Sequence, residues 1–165
     1  VFSDDIETVE VFFSNNQLLF RSQHISFYTR LLEGTYPDTD RLIPKDFNTT
    51  VTFDTANLRH AMERARLLSN ATQNGTVKLD IQNGLVSAHV NSPEVGKVNE
   101  ELDTLAVSGD DLIISFNPTY LIDALKAVGH EQVQISFISP IRPFTLVPNA
   151  ADEDFIQLIT PVRTN

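Results

Sequence analysis

The sequence VTFDTANLRHAMERA, at residues 51–65, decides the fold, because it joins a short strand to a capped amphipathic helix. The run from Val51 to Phe53 is typical of a strand, and Asp54 is a suitable N-cap, since its carboxylate can accept a hydrogen bond from the first helical turn. Beyond Asp54 the apolar residues recur at intervals of three and four, the period of one helix face. This face comprises Leu58, Ala61, Met62, Ala65 and Leu68, and the helix is predicted to end near Asn70.

The same pattern returns as ISFNPTYLIDALKAV at residues 114–128, with Asn117 as the cap and Pro118 at the first helical position. One constant spacing aligns the two stretches and places similar residues at matching positions. Self-similarity of this kind predicts duplicated units that share a layer of sheet, neither able to bury its helix face alone. The aligned pairs are Val51 with Ile114, Phe53 with Phe116, Asp54 with Asn117, Leu58 with Leu121, Ala61 with Ala124, Met62 with Leu125 and Ala65 with Val128.

Alternating apolar residues predict three further strands after each helix. The dipeptide Asn83-Gly84 is a strong hairpin signal between the first two strands of the first set. The predicted ranges are 77–81, 86–90 and 98–102 after the first helix, and 133–137, 144–147 and 155–160 after the second. We therefore predict an α+β domain in which two helices pack side by side on antiparallel sheets, built from repeated strand-helix-three-strand modules.

The opening segment aligns with the sheet half of this module but has no capped helix before it. Residues 9–13 and 17–21 form a predicted hairpin around Asn15-Asn16, and residues 25–31 form a third strand. The stretch from Gly34 to Pro44 contains the turn residues of a connector, so we expect a domain boundary there.

Composition limits the classes of function. A chain of 165 residues with 41% hydrophobic content can bury a core of ordinary size, and its net charge of -10 opposes indiscriminate binding to nucleic acid. The absence of cysteine excludes disulfides and thiolate metal sites and fits a reducing cytoplasm. No run of about 18 apolar residues is present, so we expect no membrane association.

Enzymatic motifs are missing from the sequence. The four histidines are scattered without metal-ligand spacing, and neither a phosphate-binding glycine loop nor a nucleophile elbow occurs. The acidic run at residues 152–154 is more typical of a solvated loop than of a cation site. We therefore predict no catalytic residues, no metal and no cofactor. The histidines are His24, His60, His89 and His130.

Several further motifs are jointly specific. They are Leu32 to Asp38 leading to Arg41 to Pro44, Arg66 to Asn70, Phe116-Asn117 with Tyr120-Leu121, Asp123 to Leu125, Arg142-Pro143 and Pro161 to Arg163. Through them the chain resembles the bacterial sliding clamp family, the beta subunits of DNA polymerase III, over essentially its whole length. That resemblance implies a DNA-clamp (processivity) fold in a non-catalytic, cytoplasmic subunit with three domains, which closes as a two-subunit ring around double-stranded DNA.

The resemblance also implies partners and a boundary. The partners are the catalytic subunit of DNA polymerase III, the clamp loader and other proteins with a clamp-binding motif, which insert a short peptide into a cleft. Residues 1–40 would be the C-terminal sheet portion of the middle domain with its connector, and residues 41–165 the last domain. The matching cleft residues are Pro37, Arg41, Leu42, Asn117, Tyr120, Ile141, Pro143, Leu158, Thr160, Pro161, Val162 and Arg163.

Two other surfaces follow from the resemblance. DNA would pass along the helices, whose basic side chains give attraction without base readout. Ring closure would use the end of the first helix and an edge strand near residues 95–102. The channel residues are Arg59, Arg64, Arg66 and Lys126, and the ring-dimer residues are Leu67, Leu68, Glu94 and Glu100.

Part of the family's cleft lies upstream of Val1, so this chain is expected to contain one cleft wall, to bind peptide poorly and to form no closed ring. Two alternatives remain open on sequence alone. One is a C-terminal accessory domain of an enzyme whose catalytic residues lie upstream. The other is a structural module that pairs through an exposed sheet edge.

Overall fold

Alternating residues near the start of the chain form a three-stranded antiparallel sheet in the computed structural model of this protein. Its strands are β1 (Glu10–Phe13), β2 (Gln17–Ser22) and β3 (Ile25–Arg30). The structure describes residues 8–36, 38–69, 75–92, 96–150 and 154–163. These residues divide into two units, Val1–Thr39 and Asp40–Asn165, with a short 3-10 helix at Thr39–Arg41. The predicted opening hairpin and third strand are confirmed.

The second unit contains both duplicated stretches. The first module has β4 (Thr49–Asp54), α1 (Thr55–Ser69), β5 (Val77–Gln82), β6 (Leu85–Ser92) and β7 (Gly96–Glu101). A strand that the sequence did not predict follows as β8 (Ala106–Gly109). The second module has β9 (Leu112–Phe116), α2 (Pro118–Ala127), β10 (Gln132–Phe137), β11 (Phe144–Pro148) and β12 (Gln157–Ile159). The α+β class with two helices on antiparallel sheets is confirmed.

Both predicted helix caps are formed. The Oδ1 atom of Asp54 accepts a hydrogen bond of 2.8 Å from the amide of Asn57, and Oδ1 of Asn117 accepts one of 2.9 Å from the amide of Thr119. Such bonds satisfy amides that lack a partner in the first turn and fix where the helix begins. The predicted end of α1 at Asn70 lies outside the described residues, and α1 is described as far as Ser69.

The two modules exchange their first strands. The five-stranded sheet has the order β12-β11-β10-β4-β8, so that β4 of the first module pairs with β10 of the second. The four-stranded sheet has the order β7-β6-β5-β9, so that β9 of the second module pairs with β5 of the first. Each sheet is therefore completed by a strand from the other module.

The aligned positions of the repeat form one core. Every apolar member of the aligned pairs is buried, and α1 packs against α2 above the two sheets. The rings of Phe116 and Phe137 each lie 5.1 Å, between centroids, from the ring of Phe144. Aromatic pairs at this separation add to the stabilisation from burial alone.

The unpredicted strand β8 lies at the edge of the five-stranded sheet, antiparallel to β4. It is four residues long and largely exposed, and its sequence shows no alternation of apolar and polar residues. The backbone of Gly109 has a φ of 96° and stands opposite Thr49, where an added Cβ would lie 1.8 Å from the carbonyl oxygen of Asn48. This close approach requires glycine.

Candidate functional site

A groove between α2 and β12 contains three of the residues predicted for a peptide-binding cleft, Tyr120, Leu158 and Thr160. Its volume is about 320 Å³. The helical period buries Leu121 and turns Tyr120 outward, while the strand alternation buries Ile159 between Leu158 and Thr160. We call this surface the α2–β12 groove, and its lining comprises Tyr120, Asp123, Ala124, Gln157, Leu158, Ile159 and Thr160.

The C-terminal residues continue from this groove onto the other sheet. The amide of Val162 donates a hydrogen bond of 2.7 Å to the carbonyl oxygen of Ser115 in β9. Pro161 is half-buried, and Val162 and Arg163 are exposed. Asn117 follows two residues after Ser115, but its side-chain oxygen is used to cap α2. Residues 161–163, which we call the C-terminal segment, therefore lie next to β9 and near the start of α2.

The other residues predicted for the cleft do not line this groove. Arg41 and Leu42 lie in or just after the 3-10 helix, and both are exposed. Ile141 is exposed and Pro143 is half-buried in the loop before β11. Pro37 lies outside the described residues. The cleft assignment stays a prediction for these five residues, as it does for the others.

The first module has a matching groove between α1 and β7, with a volume of about 190 Å³. The spacing that aligns Val51 with Ile114 also aligns Asn57 with Tyr120, His60 with Asp123 and Ala61 with Ala124. We call it the α1–β7 groove, and its lining comprises Phe53, Asn57, Leu58, His60, Ala61, Arg64, Glu100, Glu101, Leu102 and Asp103. The two modules therefore have grooves at matching positions.

A second correspondence extends to the backbone. The amide of Leu105 donates a 2.8 Å hydrogen bond to the carbonyl oxygen of Thr52, as the amide of Val162 does to Ser115. Thr52 and Ser115 occupy aligned positions in the repeat. The C-terminal segment therefore takes, beside β9, the place that the residues leading into β8 take beside β4.

The two grooves differ in chemistry. Tyr120 and Leu158 give the α2–β12 groove an apolar surface, whereas Asn57 and Glu101 occupy the corresponding places in the α1–β7 groove. Sequence reasoning missed Asp123 and Gln157 as groove residues. The internal repeat is the signal that could have identified them. The spacing of the two helices aligns Asp123 with His60. At the end of each module, matching Ile159 with Leu102 aligns Gln157 with Glu100.

Two residues predicted for different surfaces bond to each other. The guanidinium of Arg64, predicted for a DNA channel, forms a two-point hydrogen-bonded ion pair with the carboxylate of Glu100, predicted for a dimer interface. The hydrogen bond to Glu100 raises the pKa of Arg64, against a lowering by desolvation and with a further contribution from the charge of Glu100. Arg64 is exposed and Glu100 is only half-buried, so the pair adds little to folding stability.

The other residues predicted for a ring-dimer interface lie near the end of α1. Leu67 is 71% exposed, while Leu68 is half-buried and packs against the core. Strand β7 is an edge of its sheet, as the sequence predicted. Glu94 lies outside the described residues. The interface assignment is neither supported nor contradicted by these positions.

A wider groove of about 520 Å³ separates the start of α1 from the end of α2. The predicted channel residues Arg59 and Lys126 both line it, together with the acidic residues Asp54 and Glu131. Arg66 lies on the same side of α1 as Arg59. Since successive helical residues turn by about 100°, Arg64 lies about 140° around the helix from Arg59. The four predicted channel residues therefore do not share one face.

The structure also brings Ser87, His89 and Asp80 together on the outer side of the four-stranded sheet. Oγ of Ser87 is 2.9 Å from Nε2 of His89, and Oδ2 of Asp80 is 3.8 Å from the same nitrogen. A catalytic triad needs the nucleophile and the acid at different nitrogens of the histidine, so this grouping cannot act as one. Among the described residues no three His, Asp or Glu side chains form a metal-binding group.

Comparisons with known proteins agree with the motifs. Residues 40–163 match the family model described as DNA polymerase III beta subunit, C-terminal domain. The chain is 77% identical over 165 residues to the beta sliding clamp of Streptococcus pneumoniae, and 56% identical over 167 residues to that of Lactococcus lactis. Each comparison covers 100% of this chain and 44% of the relative, so the chain spans less than half the length of these proteins.

Solved structures show the same fold. The beta chain of DNA polymerase III from Streptococcus pneumoniae superimposes with a TM-score of 0.89, over 99% of this chain and 43% of that one, at 77% identity. The sliding clamp of Bacillus subtilis gives a TM-score of 0.85 at 38% identity, over 99% of this chain and 43% of that one. In the part of the chain that the structure describes, no helix is long and apolar enough to cross a membrane.

Proposed function

The chain belongs to the family of bacterial sliding clamps, the beta subunits of DNA polymerase III, and from this membership we propose that its protein is a non-catalytic processivity factor. The full-length protein closes as a ring dimer around double-stranded DNA and tethers the catalytic subunit of the polymerase, the clamp loader and other proteins with a clamp-binding motif. It acts in the cytoplasm, where the bacterial chromosome is replicated. Residues 1–40 belong to the middle domain and residues 41–165 form the last domain.

The observation that supports the tethering role is the α2–β12 groove. Tyr120 and Leu158 offer partly exposed apolar surface at the mouth of a concave site, which is the usual form of a peptide-docking pocket. Burying one Leu or Phe side chain of a partner yields roughly 1.5–3 kcal/mol. Two such anchors fit a weak and exchangeable contact, as a clamp shared by several partners requires.

The DNA-facing role is proposed for the groove between α1 and α2. Arg59 and Lys126 lie on its two sides, and cations there attract phosphates without reading bases. Asp54 and Glu131 weaken that attraction. Arg64 contributes least, because its charge is paired with Glu100 and it lies on another side of α1.

Ring closure is proposed at the end of α1 and along β7. Leu67 supplies an exposed apolar side chain, and the outer edge of β7, which pairs with no strand among the described residues, can accept another strand. Glu100 can pair with a basic side chain of a second subunit only if its bond with Arg64 is shared or broken. We therefore expect Leu67 to contribute more to dimer affinity than Glu100.

A fluorescence-anisotropy titration tests the tethering role. A labelled peptide of the form Gln-x-x-Leu-Phe is titrated with this chain and with the full-length protein. Leu158→Asp places a carboxylate in the groove, while Leu85→Asp makes the same substitution at an exposed hairpin residue. We expect the full-length protein to bind, Leu85→Asp to bind equally, and Leu158→Asp to lose at least about tenfold in affinity, as the removal of one buried anchor implies.

Equal binding by both variants would refute the assignment of the α2–β12 groove. Circular dichroism spectra of the two variants must match that of the wild type, so that lost binding cannot come from unfolding. We expect the chain alone to bind more weakly than the full-length protein, because it spans only 44% of the length of the relatives that it matches.

A further inference from the structure

Asp123 is the one charged side chain among the described residues that line the α2–β12 groove. It is exposed, and it forms no hydrogen bond or ion pair with any described residue. Neither Lys126 on the same helix nor Arg163 in the C-terminal segment pairs with it. The amide nitrogen of Gln157, its neighbour across the groove, donates instead to the carbonyl oxygen of Leu158 at 3.2 Å. An uncompensated negative charge therefore stands beside apolar surface.

The matching groove of the first module shows how such a charge can be neutralised. There the carboxylate of Glu100 is paired with Arg64, which extends from α1. The residue aligned with Arg64 in α2 is Ala127, which cannot supply a cation. Gln157 takes the place of Glu100 and has no charge. The second module therefore lacks the ion pair and has a single acidic residue, Asp123, at the position aligned with His60.

We propose that Asp123 is a specificity-determining residue of the α2–β12 groove, which favours peptides with Lys or Arg beside the apolar anchor and disfavours those with Asp or Glu there. This inference rests on the proposed peptide-docking function. A charge at the rim of an interface changes selection among partners more than it changes the total affinity. The apolar surface of Tyr120 and Leu158 reduces solvent screening of Asp123 once a peptide covers it.

The test uses three labelled peptides that are identical except for one residue beside the Leu-Phe anchor, which is Lys, Ala or Glu. Each is titrated by anisotropy against the full-length protein, Asp123→Asn and Asp103→Asn. Asp103→Asn is the matched control, because Asp103 is an exposed carboxylate in the α1–β7 groove. Titrations at low and high salt distinguish a charge effect from a change in packing.

We expect the wild type to bind the Lys peptide about two- to fivefold more tightly than the Ala peptide, the size of an exposed ion pair, and the Glu peptide more weakly by a similar factor. Asp123→Asn removes this ranking, Asp103→Asn keeps it, and high salt compresses it. Equal affinities in the wild type, or a ranking that survives in Asp123→Asn, would overturn the inference while leaving peptide docking intact. If none of the three peptides binds, the groove itself is refuted and the inference with it.

Discussion

Gly109→Ala should destabilise the second unit far more than an ordinary glycine substitution. The methyl group would lie 1.8 Å from the carbonyl oxygen of Asn48 and 2.9 Å from Cα of Thr49, both of which are backbone atoms. Backbone cannot rotate away as a side chain can, so β8 must separate from β4. The φ of 96° adds strain of its own for a residue with a Cβ.

The magnitude follows from what is lost. The left-handed conformation costs about 1–2 kcal/mol. Separating the strands also breaks the 3.1 Å bond from the amide of Asp110 to Asn48 and the 2.7 Å bond from Oγ1 of Thr49 to the carbonyl of Asp110. Each such bond contributes about 0.5–1.5 kcal/mol. We therefore expect a loss of about 2–5 kcal/mol in the free energy of unfolding.

The assay is urea unfolding followed by circular dichroism, with Gly84→Ala as the matched control. Gly84 also has a positive φ, 77°, but an added Cβ there would meet no atom within 4 Å. The control should lose only the conformational cost of about 1–2 kcal/mol. A Gly109→Ala variant no less stable than Gly84→Ala, with an unchanged denaturant slope, would refute the close approach of β8 to Asn48.

Further substitutions test the core, the cap and the C-terminal segment. Met62→Ala should lower the free energy of unfolding by about 2–5 kcal/mol, because Met62 is 0% exposed. Leu67→Ala should change the free energy of unfolding by under about 0.5 kcal/mol, because Leu67 is exposed. Equal effects of the two substitutions in urea unfolding would contradict the orientation of α1. Asn117→Ala should cost about 1 kcal/mol in the same assay through loss of its cap, and no change would mean that α2 begins elsewhere. Val162→Pro removes the amide that donates a hydrogen bond to Ser115, and it should weaken peptide binding in anisotropy relative to Val162→Ala. Leu105→Pro removes the matching bond of the first module and should leave peptide binding unchanged. The reverse order would exclude a role for the Val162–Ser115 bond in positioning the C-terminal segment.

Local elements were predictable from the sequence because their signals are local. Asp54 and Asn117 each predicted the start of a helix, and the structure confirms both. Asn83-Gly84 forms the predicted hairpin turn, with positive φ at both residues. Strand β8 was missed because four mostly exposed residues have no apolar alternation. The pairing of β4 with β10 and of β9 with β5 was not predicted. Strand pairing across modules depends on residues that are far apart in sequence, and the hydrophobic period of a single segment does not indicate it.

The candidate site was predicted in part. Tyr120, Leu158 and Thr160 were expected together and do line one groove, whereas Asp123 was overlooked although the repeat aligns it with a groove residue of the first module. The bond between Arg64 and Glu100 was also not predicted. The two residues are far apart in sequence, and only the packing of α1 against the sheet with β7 brings them together.

Nuclear magnetic resonance with isotope-labelled protein tests the central claim most directly, because it locates a bound peptide without any substitution. An unlabelled Gln-x-x-Leu-Phe peptide is added, and the changes in backbone amide chemical shifts are compared between the α2–β12 groove and the α1–β7 groove. We expect these changes to be concentrated at Tyr120, Leu158 and Thr160. Chemical-shift changes concentrated instead at Asn57, Glu101 and Asp103, or absent from both grooves at saturating peptide, would contradict peptide binding in the α2–β12 groove.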